Sequence, residues 1–82
     1  MRTYKVFYLG LDMEVEAVET LHNLDGDNTM MNIVMNNMEV KGYPFVKVMR
    51  FDYEKGVYEN VTRFVIHFMR NRFKKNLQQI IK

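Results

Sequence analysis

The feature that most restricts the fold of this chain is the absence of cysteine from a sequence of only 82 residues. A domain of this size buries about 60% of the surface that its unfolded chain exposes, so its stability is modest. Without a thiol, neither a disulfide nor a thiolate metal site can add to that stability. Because 48% of the residues are hydrophobic, we expect one folded domain over residues 1–82 that depends on a single packed core.

The absence of other features excludes several classes of function. Serine is absent as well as cysteine, which rules out serine and thiol nucleophiles. No apolar run approaches the roughly 20 residues that a membrane span requires, and the N-terminus does not have the pattern of a cleaved leader. We therefore expect a cytoplasmic protein.

Three segments have the composition of β-strands. Tyr4–Leu9 is rich in β-branched and aromatic residues and ends at Gly10, and Phe45–Phe51 has the same character after Pro44. A glycine-containing turn then separates the second strand from Val57–Asn60, which is a candidate third strand. The fold class that we predict is α/β (α+β), with a small antiparallel sheet of two or three strands packed against helices that include a long C-terminal helix.

The segment between the first strand and residue 24 is open to two interpretations. Val15, Val18 and Leu21 recur at helical spacing, which predicts a helix over Met13–Asn23. The alternation of polar and apolar residues in Glu14–Ala17 fits an edge strand equally well.

A second helix is predicted by the signals at its two ends. Asp27 or Asn28 can cap its start. Gly42 and Pro44 prevent it from extending beyond Lys41.

The terminal helix is predicted over Asn60–Lys82, because no glycine or proline interrupts this segment. Its apolar face is expected to consist of Val61, Phe64, Val65 and Phe68.

The charges of the chain are divided between its two halves. Residues 1–40 carry two cations against seven carboxylates, which gives −5, and residues 41–82 carry ten cations against three carboxylates, which gives +7. Such a division produces a directed electrostatic field. The acidic half could cancel this field by folding over the basic half, or the two halves could drive head-to-tail association or binding to an acidic protein.

Basic residues on the terminal helix are the main candidates for function. Arg63, His67, Arg70 and Lys74 follow at i, i+4, i+7 and i+11, so they lie on one side of a helix. Cations in such a row contact the phosphates of a nucleic acid, although a solvated helix face has the same pattern. The candidate nucleic-acid-binding residues are Arg63, His67, Arg70, Arg72, Lys74, Lys75, Lys47 and Arg50.

An apolar stripe on the same helix offers a second type of function. Phe73, Leu77 and Ile80 follow at steps of four and three and extend beyond the length of a compact core of this size. They are a candidate protein interface, for a homo-oligomer or for another protein.

Catalytic and metal-binding patterns are poor. His22 and His67 are the only two histidines, and without cysteine or a spaced set of carboxylates they do not indicate zinc. A ribonuclease would need the two imidazoles to meet around a phosphate. We predict no enzyme activity, no metal and no cofactor.

The sequence also has a resemblance to a known group of proteins. The start Lys5–Gly10, the many asparagines and methionines, the lack of cysteine and the basic terminal helix resemble small early proteins of T-even bacteriophages. Within that group the chain is most similar to antitoxins of the TifA and Dmd type, which block host endoribonuclease toxins. The resemblance implies a non-enzymatic inhibitor that engages a nucleic-acid-processing protein of the host, with RNA as a further partner of the basic face.

Overall fold

The computed structural model describes the backbone of residues 1–81 and the side chains of residues 1–71. The elements in chain order are β1 (Arg2–Leu9), β2 (Val15–Leu24), α1 (Asp27–Lys41), β3 (Phe45–Asp52), β4 (Val57–Asn60) and α2 (Thr62–Ile81). The strands form one antiparallel sheet in the order β2-β1-β3-β4. The predicted α+β class is confirmed, but the sheet has four strands where two or three were expected. The C-terminal helix, predicted to be long, is described with its side chains only over residues 62–71.

The core is built on one face of the central strand β1. Tyr4, Val6 and Tyr8 are 0%, 0% and 3% exposed, and they belong to one apolar cluster with Met30 and Val34 of α1. Because side chains alternate along a strand, the residues between them point to the opposite side of the sheet. We call the side that carries Tyr4, Val6 and Tyr8 the covered face.

The predicted helix over Met13–Asn23 is wrong, because β2 occupies this segment and forms a hairpin with β1. The alternative of an edge strand is confirmed, since β2 lies at one end of the strand order, next to β1. The helical spacing of Val18 and Leu21 is misleading. By register, Val18 pairs with Phe7 and Leu21 pairs with Tyr4, so the two side chains lie on opposite faces of the sheet.

Helix α1 ends at Lys41, before Gly42, which confirms its predicted C-terminal bound. The prediction that Asp27 or Asn28 caps its start is wrong, because the N-cap residue is Gly26 and the Asp27 carboxylate accepts hydrogen bonds from Tyr4 and Arg50. Asp27 places a carboxylate in the first turn, where the helix dipole favours negative charge. Gly42 ends the helix with φ 74°, and the N–H of Tyr43 donates to the carbonyl oxygen of Met38 at 3.0 Å. Glycine adopts this left-handed conformation without the steric cost of a side chain.

Helix α2 begins at Thr62, not at Asn60 as predicted, because hydrogen bonds fix its first turn to β3. The N–H of Val61 donates to the carbonyl oxygen of Val48 at 2.9 Å, and the N–H of Val48 donates to Oγ1 of Thr62 at 2.9 Å. Asn60 ends β4, and its Oδ1 accepts from the N–H of Thr62 at 2.9 Å.

The apolar face of α2 differs from the predicted face at one position. Val61 and Val65 are 3% and 0% exposed, with Phe68 and Met69 packed against the same cluster, but Phe64 is 65% exposed. At about 100° per residue, Phe64 lies to one side of the stripe that the other four residues form. The prediction for Phe64 is therefore wrong. Side-chain predictions beyond residue 71 lie outside the described residues.

Two valines of α1 test which side of this helix builds the core. Val34 is 0% exposed and Val40 is 70% exposed. Val34→Ala is expected to lower the free energy of unfolding by about 2 kcal/mol, because it removes two buried carbon groups and leaves a cavity. Val40→Ala is the matched control and should change it by less than about 0.5 kcal/mol. Urea denaturation measures both, and equal effects would contradict the described packing.

Candidate nucleic-acid interface

Three predicted phosphate ligands lie together on the solvent side of α2. Arg63, His67 and Arg70 are all exposed, because Val61 and Val65 turn the opposite side of the helix into the core. We call these three residues the cationic stripe. They line a shallow groove together with Asn60, Phe64 and Ile66.

No carboxylate neutralises the cationic stripe within residues 1–71. The ion pairs in this part of the chain are Arg2–Asp27, Arg50–Asp27 and Arg50–Glu59. Asp12, from the acidic half, accepts a hydrogen bond from the backbone of Glu14 at 3.0 Å in the β1–β2 loop. The described part of the acidic half therefore does not fold over Arg63, His67 and Arg70.

Arg50 lies on the covered face of the sheet, apart from the cationic stripe. It pairs with Tyr4 in the sheet register, and its Nη1 and Nη2 donate to Asp27 at 2.9 Å and to Glu59 at 3.0 Å. The hydrogen bond to Glu59 raises the pKa of the Arg50 guanidinium further, with a smaller contribution from Asp27. Asp27 and Glu59 thus neutralise this cation and occupy a donor on each of its two Nη atoms, so Arg50 is poorly placed to bind a phosphate.

Lys47 lies on a different surface again. Its register partner in β1 is Phe7, so its side chain points away from the covered face, and its Nζ lies 5.6 Å from the centre of the Phe7 ring. The sequence grouped Lys47 and Arg50 in one patch. The structure separates them because residues an odd number of positions apart on a strand point to opposite faces of the sheet, and Lys47 and Arg50 are three positions apart.

The remaining candidates lie outside the described residues. This group contains the basic residues Arg72, Lys74 and Lys75 and the predicted interface residues Phe73, Leu77 and Ile80. Their assignments stay predictions.

Buried tyrosines on the covered face connect the sheet to α1. The hydroxyl of Tyr4 donates to Asp27, and burial followed by this hydrogen bond raises the pKa of Tyr4 well above its usual value. The hydroxyl of Tyr8 donates to Glu19 at 3.3 Å and accepts from Nδ2 of Asn37 at 3.0 Å. Burial raises the pKa of Tyr8 to about 12.

The structure brings together no catalytic or metal-binding set in the described part of the chain. His22 lies on β2 at one edge of the sheet, whereas His67 lies on α2, which packs against β3. Residues 1–71 contain no group of three or more histidine, aspartate or glutamate side chains arranged to hold a metal ion.

Over the described residues, neither helix combines the length and the apolar character needed to cross a membrane.

Comparisons with models of protein families, with curated proteins and with solved structures find no match to this chain. The resemblance to phage antitoxins therefore stays a prediction from the sequence.

Arg50 is expected to serve stability and not RNA binding. Arg50→Met keeps most of the aliphatic stem but leaves Asp27 and Glu59 without their shared cation. We expect the free energy of unfolding to fall by about 1–2 kcal/mol, since solvent partly screens this network. Arg70→Met removes the same charge from an exposed position and should change the value by less than about 0.5 kcal/mol. Urea denaturation compares the two variants, and a larger loss for Arg70→Met would contradict this assignment.

The buried tyrosines predict a loss of stability at alkaline pH. The pKa of Tyr8 is about 12 in the folded chain and about 10 when the chain is unfolded. A raised folded pKa gives stability that is fully present below pH about 10 and is lost as the pH rises toward about 12. Tyr8→Phe should remove part of this dependence. Thermal unfolding of both proteins at increasing pH measures it, and identical pH profiles would count against the expected role of Tyr8.

Proposed function

We propose that this chain is a small, non-enzymatic RNA-binding protein that uses the cationic stripe of α2 to contact phosphates. The observation that carries the proposal is the exposure of Arg63 and Arg70 without a carboxylate partner among residues 1–71. A guanidinium group presents a planar fork of donors that matches two phosphate oxygens. Two such groups seven positions apart on one side of a helix can contact neighbouring parts of a phosphate backbone.

Contacts of this kind bind the backbone and do not read the base sequence. Arginine–phosphate contacts release counterions, so their affinity falls steeply as salt increases. They position a protein on a nucleic acid without carrying sequence information. We therefore propose binding that is sensitive to salt and tolerant of sequence.

The choice of RNA and an inhibitory role come from the resemblance to phage antitoxins. Under this proposal the protein acts in the host cytoplasm and inhibits a nucleic-acid-processing protein, such as a toxin ribonuclease, while its basic helix contacts RNA. His67 supports binding within the stripe as a hydrogen-bond donor, and no proton transfer is assigned to it.

Charge reversal of the stripe tests the proposal. Arg63→Glu combined with Arg70→Glu is expected to weaken binding to a labelled RNA duplex and to reduce the slope of log affinity against log salt by about 0.9 for each lost phosphate contact. Because both side chains are exposed, the thermal midpoint should remain nearly unchanged. Titrations at several salt concentrations between about 50 and 200 mM measure the slope.

Lys55→Glu is the matched control, since Lys55 is an exposed cation in the β3–β4 turn. It changes the net charge in the same direction but should leave most of the slope intact. Unaltered RNA binding by the double variant would overturn the proposal. Lys55→Glu changes the net charge by half as much as the double variant, so a loss of affinity at least half as large would also do so, because it would show that the net charge of the protein accounts for binding.

A further inference from the structure

The sheet has a second face that neither described helix segment covers. By strand alternation and register, it carries the neighbours of the buried residues of β1 and their partners on the adjacent strands. We call this surface the open face. Among its residues are Lys5, Phe7, Val18, Thr20, Lys47, Met49, Phe51 and Tyr58.

Aromatic rings form a continuous cluster at one end of the open face. The ring of Phe51 lies 5.1 Å from that of Tyr58 and 4.9 Å from that of Tyr53, with edge-to-face geometry in both pairs. Tyr53 extends the open face beyond β3, and its hydroxyl is 2.7 Å from Oγ1 of Thr3. Tyr58 is 40% exposed and Tyr53 is 62% exposed, so solvent reaches both rings.

Two lysines lie over rings of the open face. Nζ of Lys5 is 5.9 Å from the centre of the Tyr58 ring, and Nζ of Lys47 is 5.6 Å from that of Phe7. No aspartate or glutamate shares these register positions on the open face, and neither lysine has a carboxylate partner among residues 1–71. The open face is therefore both aromatic and positively charged.

Folding alone does not require this composition. An antiparallel sheet with one solvated face usually carries polar residues there. Here the outward positions of β1, β3 and β4 hold Phe7, Phe51 and Tyr58, while the core is already supplied by the covered face. An exposed patch of this type is characteristic of a binding surface.

The charge of the open face argues against a second copy of the chain as its occupant. A symmetric dimer places the same patch of both subunits in contact. Lys5 and Lys47 would then face their own copies with no carboxylate on the patch to compensate, which is unfavourable. An anionic partner with flat apolar groups fits better, because it satisfies both the lysines and the rings.

We propose that the open face binds unpaired nucleotides of RNA by stacking bases on its exposed rings. The exposed ring of Tyr58 and the half-buried ring of Phe7 accept the bases, and Lys5 and Lys47 move from these rings to the neighbouring phosphates. Exposed aromatic residues on a four-stranded sheet stack single-stranded bases in this way, and the basic groups around them follow the backbone. This inference rests on the proposed function, because it names the form of RNA that the protein selects.

The experiment compares two probes, a labelled oligouridylate as the single strand and an RNA duplex of the same length. Tyr58→Ala is expected to weaken oligouridylate binding by roughly 5- to 150-fold, the usual effect of removing one stacking ring. Binding to the duplex should change little, since paired bases do not offer their faces. Tyr58→Phe keeps the ring and should retain the affinity of the wild type.

Tyrosine emission provides an independent readout, because the chain has five tyrosines and no tryptophan to obscure them. Oligouridylate should quench this emission in the wild type, and Tyr58→Phe should lose part of the quenching while still binding. Lys47→Met is a second variant, and because Lys47 is exposed, the substitution should disturb the packing of the fold little. It should reduce the salt slope for oligouridylate by about 0.7.

The outcomes separate this inference from the proposed function. If Tyr58→Ala and Lys47→Met bind oligouridylate as the wild type does, the open face is not the site, even if reversal of Arg63 and Arg70 abolishes duplex binding. If Tyr58→Ala weakens oligouridylate binding while that reversal has no effect, the inference holds and the role of α2 fails. Light scattering that shows a dimer, converted to a monomer by Tyr58→Ala, would overturn the inference in favour of self-association.

Discussion

Strand β1 is hydrogen-bonded on both sides, and the alternation of its side chains determines how the rest of the chain is arranged. Tyr4, Val6 and Tyr8 are at most 3% exposed and share one cluster with apolar residues of α1 and α2. Because these three residues pack against the helices on one face of the sheet, Lys5 and Phe7, which alternate with them, point to the other face. The same alternation therefore builds the core and produces the aromatic and basic surface opposite to it.

Location in the fold, more than position along the chain, decides which cations remain available to a partner. Arg50 lies on the covered face, where Asp27 and Glu59 bind its guanidinium and join α1, β3 and β4. Lys47, only three residues earlier, points to the open face and forms no ion pair with a carboxylate of residues 1–71. In the part of the chain whose side chains are described, the acidic and basic halves of the sequence thus meet at Arg50 and Asp27, and not over the solvent side of α2.

Local signals in the sequence were sufficient for the end of α1, which Gly42 determines, and for the strands whose composition is distinctly aromatic and β-branched. They did not identify the N-cap residue of α1, which is Gly26 and not Asp27 or Asn28. They were insufficient for β2, because Val18 and Leu21 have the spacing of a helix although they lie on opposite faces of a sheet. They also failed for Phe64, whose exposure depends on how α2 sits against β3. The errors for β2 and Phe64 both arise because the exposure and the partners of these residues depend on tertiary contacts, and the periodicity of a single segment carries no information about such contacts.

The open face could not be predicted from the sequence for a related reason. Its rings come from β1, β3 and β4, and each of them is an ordinary core candidate until the strand register shows that they share the uncovered side. The cationic stripe, in contrast, lies within one helix and could be found from spacing alone. The contacts proposed for the two surfaces also differ, because arginines on a helix suit the phosphate backbone of a nucleic acid whereas exposed rings suit its bases. Phosphate contacts position a nucleic acid and base contacts select it, so a protein with both surfaces can hold RNA broadly and still favour its unpaired segments.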